Sequence, residues 1–233
     1  MRLHRFYVNT PISGETFDII DRDLVHQWKN VFRYNVGSQV ILFDGKGYDY
    51  LCIISSIRNL GATVGVIQKV KNANEPKLNI FLCVGIIKKD NFEFLVQKVT
   101  ELGVKNIIPV LCERSEKKNI NMERLQKIAI EASEQSGRGD LPIIHNIIKF
   151  SDLLDGNLLP NRVVYLNLEG QPISNIINEK EPKELAVFIG PEGGWSDTEL
   201  TEFSKHNIPS ISLGSQILRS ETAAIAVSSL LLL

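Results

Sequence analysis

A near-continuous apolar run, Leu78 to Ile87, passes directly into helical spacing, and few folds can house that combination. A strand of this composition has no polar face to offer water, so both of its faces must be covered. Phe92, Leu95, Val96, Val99 and Leu102 then recur as on one side of an amphipathic helix, and Gly103 stops it. Ile107 to Leu111 is the next apolar strand, and residues 122–135 again set Leu125, Ile128, Ala129 and Ala132 on one helical side. Val163 to Leu166, Leu185 to Ile189 and Ile211 to Leu213 read as further strands, and a helix from about Glu221 to Leu232 closes the chain. Strands alternating with helices specify an α/β fold on a parallel sheet.

The first seventy residues have another rhythm. Val40–Phe43, Tyr48–Ser56 and Ala62–Val70 read as strands, with the turn Asp44-Gly45-Lys46-Gly47 between the first two. A short helix is expected between Asp23 and Val31, capped by Asp21 or Asp23. Short strands with glycine-rich turns suggest a compact β-barrel. Residues 71–76 are polar, aperiodic and end in Pro76. The expected organisation is a barrel domain over 1–70, a linker at 71–76 and an α/β domain over 77–233.

Composition narrows the functions. With 26 basic and 27 acidic residues the net charge is -1, which argues against wholesale coating of a nucleic acid but allows a local basic face. Cys52, Cys83 and Cys112 stand far apart in apolar runs, so neither a disulfide framework nor a metal site is expected. The N-terminus has no apolar signal core, and the longest apolar run, Ala223 to Leu233, is too short to span a bilayer. A cytoplasmic protein without membrane contact is expected.

In open parallel sheets, ligands gather where strands end. The stretch Phe188 to Ser196 follows a buried strand, and its three glycines let backbone amides approach a ligand while Pro191 stiffens the turn. Ser196 and Glu199 have the spacing of a capping box. A second loop runs from Leu213 to Ala223, where Ser220 or Thr222 is placed to cap the last helix. Arg219 and Glu221 bracket that helix start, whose dipole favours the glutamate and opposes the arginine. A tight strand–helix turn and an exposed Arg–Glu pair are the plain alternatives at these two places. No Lys-Ser or Lys-Thr follows the glycines, the dinucleotide spacing is absent, and Glu192 would repel a phosphate chain. A nucleoside cofactor with a positive centre and no phosphates, such as S-adenosylmethionine, escapes that objection without being singled out by it.

Ile189-Gly190-Pro191-Glu192-Gly193-Gly194-Trp195-Ser196, together with Leu213-Gly214 and Ile217 to Ala223, resembles the SPOUT class of knotted methyltransferases. Within that class the chain is most similar to the family that methylates N3 of a uridine in small-subunit (16S) ribosomal RNA. The resemblance extends to His4–Val8, Val31-Phe32-Arg33 before Gly37, Gln97–Val104 and Glu131–Arg138, and so covers nearly the whole chain. It departs at Phe32, Leu125 and Gln216, where the family usually has Leu, Trp and Arg. The first two departures read as packing changes; the third removes a positive charge near the expected site.

The resemblance implies a C-terminal SPOUT domain with a trefoil knot and a PUA-like N-terminal barrel. It implies S-adenosylmethionine held by three loops. Their counterparts here are Leu166, Asn167, Leu168 and Glu169; Ile189, Gly190, Pro191, Glu192, Gly193 and Gly194; and Leu213, Gly214, Ser215, Ile217 and Leu218. It further implies a homodimer through the last helix, which the Leu230 to Leu233 end suits. Phosphates of 16S ribosomal RNA, within the small subunit, would meet His4, Arg5, Arg22, Arg33, Lys46 and Arg138. Lys88, Lys89, Arg114, Lys117 and Lys118 could extend that face. Arg138 reads equally as a helix C-terminal charge. Arg219 would stabilise the uracil anion formed when N3 loses its proton, with Glu221 orienting it or relaying the proton and Glu192 as second candidate base. His26, His145 and His206 have no partner spacing and are expected to be structural. The rival readings are a SPOUT enzyme with another RNA target and a non-catalytic ribosome-assembly protein.

Overall fold

Short strands and polar turns shape the first of two units into which residues 3–58, 60–177 and 183–233, those described by the computed structural model, divide. That unit comprises Met1–Glu75 and Ser133–Leu141; the second comprises Pro76–Ala132 and Pro142–Leu233. In the first, β1 (Arg5–Tyr7), β2 (Thr16–Ile19), β3 (Gln39–Phe43), β4 (Tyr48–Ile57) and β5 (Ala62–Lys71) form one sheet in the order β1-β3-β4-β5-β2. The β1–β3 pair is parallel and the others are antiparallel. Helix α1 (Arg22–His26) starts at Asp21, whose side chain accepts from the amides of Asp23 and Leu24. It runs into a π-helical turn, Gln27–Val31, that carries Trp28 into the core with Phe6, Leu42, Ile54 and Val64. The expected helix is therefore present, with Asp21 as its cap.

Of residues 71–76, expected as a linker, Lys71 to Glu75 belong to this unit and Pro76 begins the second. Strand β5 runs to Lys71, and Asn72 Nδ2 donates to Asp49 Oδ2 (3.1 Å) and to Gly137 O (2.9 Å). The Glu75 carboxylate accepts from Arg138 Nε (3.2 Å), Arg138 Nη2 (3.0 Å) and the amide of Asp140 (3.2 Å). Both partners of the Glu75–Arg138 pair are buried, at 12% and 3% side-chain exposure. A polar, aperiodic stretch reads as a linker only while its partners are unknown, and here Gly137 and Arg138 lie more than sixty residues away.

The second unit is a parallel sheet of β6 (Asn79–Gly85), β7 (Asn106–Leu111), β8 (Ile143–Ile144), β9 (Ile148–Lys149), β10 (Val163–Pro172), β11 (Glu184–Ile189) and β12 (Ser210–Ser212). Its order is β12-β10-β11-β6-β7-β8, with β9 also paired to β7. Helices α2 (Lys89–Glu101), α3 (Met122–Ser136), α4 (Phe150–Leu154), α5 (Ser174–Ile177), α6 (Asp197–Lys205) and α7 (Ser220–Leu232) accompany it, the last turn of α3 counting with the first unit. Alternate residues of β6 serve two cores. Ile80, Leu82 and Val84 pack with Phe92, Leu95 and Val99 of α2 and with Ala224 and Val227 of α7. Cys83 faces the other way, into a cluster with Ile108, Phe150, Phe188 and Phe203. That double coverage is why Leu78 to Ile87 has no polar face.

Strand β10 outruns its expected end at Leu166. Ile211 of β12 pairs with both Leu166 and Gln171, so residues 167–170 leave the ladder and return to it. Gly170 crosses so close to β12 that a Cβ there would lie 2.5 Å from the Ile211 carbonyl carbon, which only glycine avoids.

Phe203 is fully buried, parallel to Tyr165 at 4.1 Å and edge-on to Trp195 at 5.0 Å. Phe203→Ala is expected to lower stability by about 3–5 kcal/mol, read as a reduced urea midpoint. A loss under about 1 kcal/mol would mean that the cluster closes over the gap.

Candidate functional site

Strands β12, β10 and β11 are parallel neighbours, so the chain leaves all three at the same end of the sheet. The segments that follow them, with the loop-out of β10, line a cleft of about 290 Å³. Each segment is fastened to another. Trp195 Nε1 donates to Leu166 O (3.0 Å), and Ser220 Oγ donates to Gly190 O (2.7 Å). A Cβ on Gly190 would stand 3.3 Å from the Trp195 ring, so any larger residue would press on the indole.

The glycine loop is also held from outside the cleft. Glu192 Oε1 accepts from the amide of Lys88 (3.1 Å), and Arg114 Nη1 donates to Gly193 O (3.2 Å). Glu199 completes the capping box, its Oε2 accepting from the amide of Ser196 (2.8 Å). Its other oxygen accepts from the amide of Glu113 (2.9 Å), which ties the loop after β7 to the start of α6. Both oxygens of a carboxylate 4% exposed are thereby satisfied.

No side chain lining the cleft is charged. Its walls are the apolar groups of Leu166, Leu168, Ile189, Ile217 and Leu218, with backbone amides and carbonyls and the polar ends of Asn167, Ser212, Gln216 and Ser220. A polyphosphate would find no counter-charge here. A neutral heteroaromatic base and ribose find apolar surface and unhindered peptide groups, which is the donor set that S-adenosylmethionine needs.

Leu166, Asn167, Leu168, Ile189, Gly190, Pro191, Gly194, Leu213, Gly214, Ile217 and Leu218 line the cleft among the residues singled out from sequence. Glu169, Glu192, Gly193 and Ser215 stand outside it, the second and third bonded to Lys88 and Arg114. Trp195, Ile211, Gln216 and Ser220 line it without having been assigned. Trp195 was within reach, since it lies inside the glycine motif. Ser220 was not, because it resembled a cap. It is instead the first helical residue, preceded by Arg219 at the N-cap position with no side-chain cap bond. Arg219 is exposed, and Glu221 is 8% exposed with Oε2 buried and without a hydrogen-bond partner among the described residues. Both flank Ser220, which reaches the cleft.

The cations expected to meet phosphate divide into two groups. His4, Arg22, Arg33 and Lys46 are exposed. Arg5 and Arg138 are not, and a phosphate contact is closed to them as they stand. Arg5 lies over the Phe43 ring, pairs with Asp49 and donates to Arg138 O, while Arg138 is locked on Glu75. The three cysteines are buried, which pushes the Cys52 thiol up to about 12 and raises Cys83 and Cys112 as well, so none is a nucleophile near neutral pH. Burial also lowers His145, which is hydrogen-bonded to Asn106. Among the described residues no group of three His, Cys, Asp or Glu could hold a metal, and no helix is long and apolar enough to cross a membrane.

A family model described as an RNA methyltransferase domain matches residues 74–232, and one described as an RNA methyltransferase PUA domain matches residues 29–67. A ribosomal RNA small subunit methyltransferase E from Rickettsia conorii is 34% identical over 230 residues, covering 97% of this chain and 93% of that protein. A protein from Legionella pneumophila, solved with the bound cofactor S-adenosylmethionine, aligns with a TM-score of 0.90 at 28% identity over 99% of this chain and 97% of its own. A ribosomal RNA small subunit methyltransferase E from Neisseria gonorrhoeae, bound to S-adenosylmethionine, aligns with a TM-score of 0.87 at 30% identity, covering 98% and 96%.

Replacing Arg138 by alanine leaves the Glu75 carboxylate buried without its cation and is expected to destabilise by about 3–5 kcal/mol. Lysine at this position should recover only part, because it lacks the bidentate fork. Thermal unfolding reads the difference; an unchanged midpoint would return Arg138 to the surface role expected from sequence.

Proposed function

Because this chain belongs to the RNA methyltransferase family, of the SPOUT class, we propose that it methylates N3 of one uridine in 16S ribosomal RNA of the small subunit, using S-adenosylmethionine. The observation that carries the reading is the uncharged cleft built on three fastened loops at the ends of β10, β11 and β12. Residues 166–168, 189–191, 194, 213–214 and 217–218 would hold the cofactor. When bound, it supplies a methyl group already activated by its sulfonium, and what remains for the protein is position and charge.

Uracil N3 becomes nucleophilic once its weakly acidic proton leaves, and negative charge then spreads to the flanking oxygens. Arg219, exposed where α7 begins, stabilises that charge through donors aimed at those oxygens. Glu221, two residues on, has a carboxylate oxygen with no partner among the described residues, and it takes the proton or fixes the guanidinium. Glu192 is a poorer base because the Lys88 amide already uses its Oε1.

Two further features of the family are part of this reading. The loop-out of residues 167–170 on either side of Ile211 supports a trefoil knot in which the last segment passes through the preceding loop. Leu230 and Leu233 at the end of α7 are 50% and 92% exposed, which supports a homodimer formed on that helix. The first unit serves as the PUA-like RNA module, and the cytoplasm, where ribosomal subunits are found, is the place of action.

Labelled S-adenosylmethionine with small subunits lacking the native modification is expected to yield one N3-methyluridine by mass mapping. Cofactor binding without transfer would overturn the target. Arg219→Ala should leave cofactor affinity within about twofold and lower transfer by about 10²–10³-fold; transfer at the parent rate would remove Arg219 from the chemistry. Gly190→Val, which forces a branched side chain against Trp195, is expected to abolish cofactor binding in calorimetry while the chain stays folded.

A further inference from the structure

Arg33 occupies a backbone conformation that suits glycine. Among the described residues only Arg33 and Asn207 have a positive φ without being glycine, at 55° and 54°. Asparagine tolerates the left-handed region; arginine has no such allowance. Arg33 lies where the π-helical turn ends, between the bonds Phe32 N–H to Gln27 O (3.0 Å) and Tyr34 N–H to Trp28 O (2.8 Å). Helix ends of this kind commonly place glycine at that residue. The backbone therefore gives no reason for arginine, and the explanation has to lie in what its side chain does. That side chain is exposed and has no ion-pair partner among the described residues.

The residues beside it are aromatic. Phe32 and Tyr34 stack with centroids 5.4 Å apart and planes 11° from parallel. His4, exposed at the start of β1, lies 4.5 Å from Phe32, and its Nδ1 is hydrogen-bonded to the Tyr34 hydroxyl at 2.6 Å. Phe32 and Tyr34 are only half-buried against the core. From this juxtaposition we propose that His4, Phe32 and Tyr34 form a stacking site for an unpaired nucleobase of the RNA substrate, with Arg33 on the adjoining phosphate. The aromatic rings accept the flat face of any base, and the guanidinium supplies the charge that an anionic strand requires. A cation left unpaired beside aromatic rings selects a nucleic acid over an apolar peptide. The site rests on the reading of this chain as an RNA methyltransferase and adds a base contact remote in sequence from Arg219.

Three full-length variants test it: Arg33→Gly, Phe32→Leu and the double replacement. Binding is measured by anisotropy with a labelled, unstructured RNA of about twelve nucleotides, and KM and kcat with unmodified small subunits. Arg33→Gly is expected to raise Tm by relieving the backbone, yet to weaken RNA binding and lower the salt dependence of log Kd by about one. Phe32→Leu keeps an apolar group against Phe6 and should weaken binding about tenfold with the salt slope unchanged. Both should raise KM and leave kcat alone.

Parent-like RNA affinity in either variant, a lower Tm for Arg33→Gly, or a parent that does not bind the oligonucleotide would each overturn the site. If the parent methylates subunits and the variants match it in KM, this site fails and the proposed function stands. If the parent binds the oligonucleotide through Phe32 and Arg33 but methylates no subunit, the target reading fails and the site stands.

Discussion

Ile211 is paired twice by the same neighbouring strand, and the candidate site depends on that arrangement. With Leu166 and Gln171 both in register with it, the residues between them have no place in the sheet and must project from its end. The projection brings Asn167 and Leu168 over the cleft and puts Leu166 O where Trp195 can donate to it. Trp195 in turn backs Gly190, whose carbonyl accepts from Ser220 at the start of α7. One register shift thus orders three loops through two hydrogen bonds and one ring contact. Such a site is preorganised: its peptide groups are held before any ligand arrives, so less ordering entropy is lost on binding.

The charges around this site are sorted by side. Within the cleft every lining side chain is neutral. On the outer side of the same glycine loop, Glu192, Arg114 and Glu199 each bind a backbone group of a neighbouring segment. A carboxylate in such a loop looks, in a sequence, like a group aimed at the ligand. The structure gives Glu192 and Glu199 a different role, as acceptors for amides that would otherwise lack partners at the starts of α2 and α6 and after β7. Arg114 carries the same lesson with opposite charge, since its guanidinium caps the Gly193 carbonyl.

What could be read in the residues was whatever depends on neighbours in the chain. The buried strand β6, helix α2 with its apolar side, an aspartate cap at Asp21 or Asp23 and the Ser196–Glu199 box are all local, and periodicity or capping chemistry reveals them, the structure choosing Asp21. The second half of β10 is polar, Glu169 and Gln171 included, and its strand character comes only from β12, forty residues later. Ser220 had the right type and place for a cap and was taken by Gly190 instead. Arg5 and Arg138 show the limit most clearly. A basic residue looks the same in sequence whether it awaits a phosphate or is locked on a carboxylate, and Glu75 lies 63 positions from Arg138.

The contrast between Arg138 and Arg33 bears on how a chain with a net charge of -1 can handle RNA. Overall charge governs long-range attraction, but a bound strand senses cations within about a Debye length, roughly 8 Å at physiological ionic strength. Arg138 is neutralised in place by Glu75 and contributes nothing at that range. Arg33 holds its guanidinium at the surface, in a backbone conformation that suits glycine or asparagine better than arginine. Counting basic residues therefore misjudges such a protein in both directions: it includes cations that are already paired and gives no extra weight to those held out against local strain. The useful quantity is the number of guanidinium and ammonium groups left without a carboxylate after folding, and that number belongs to the structure.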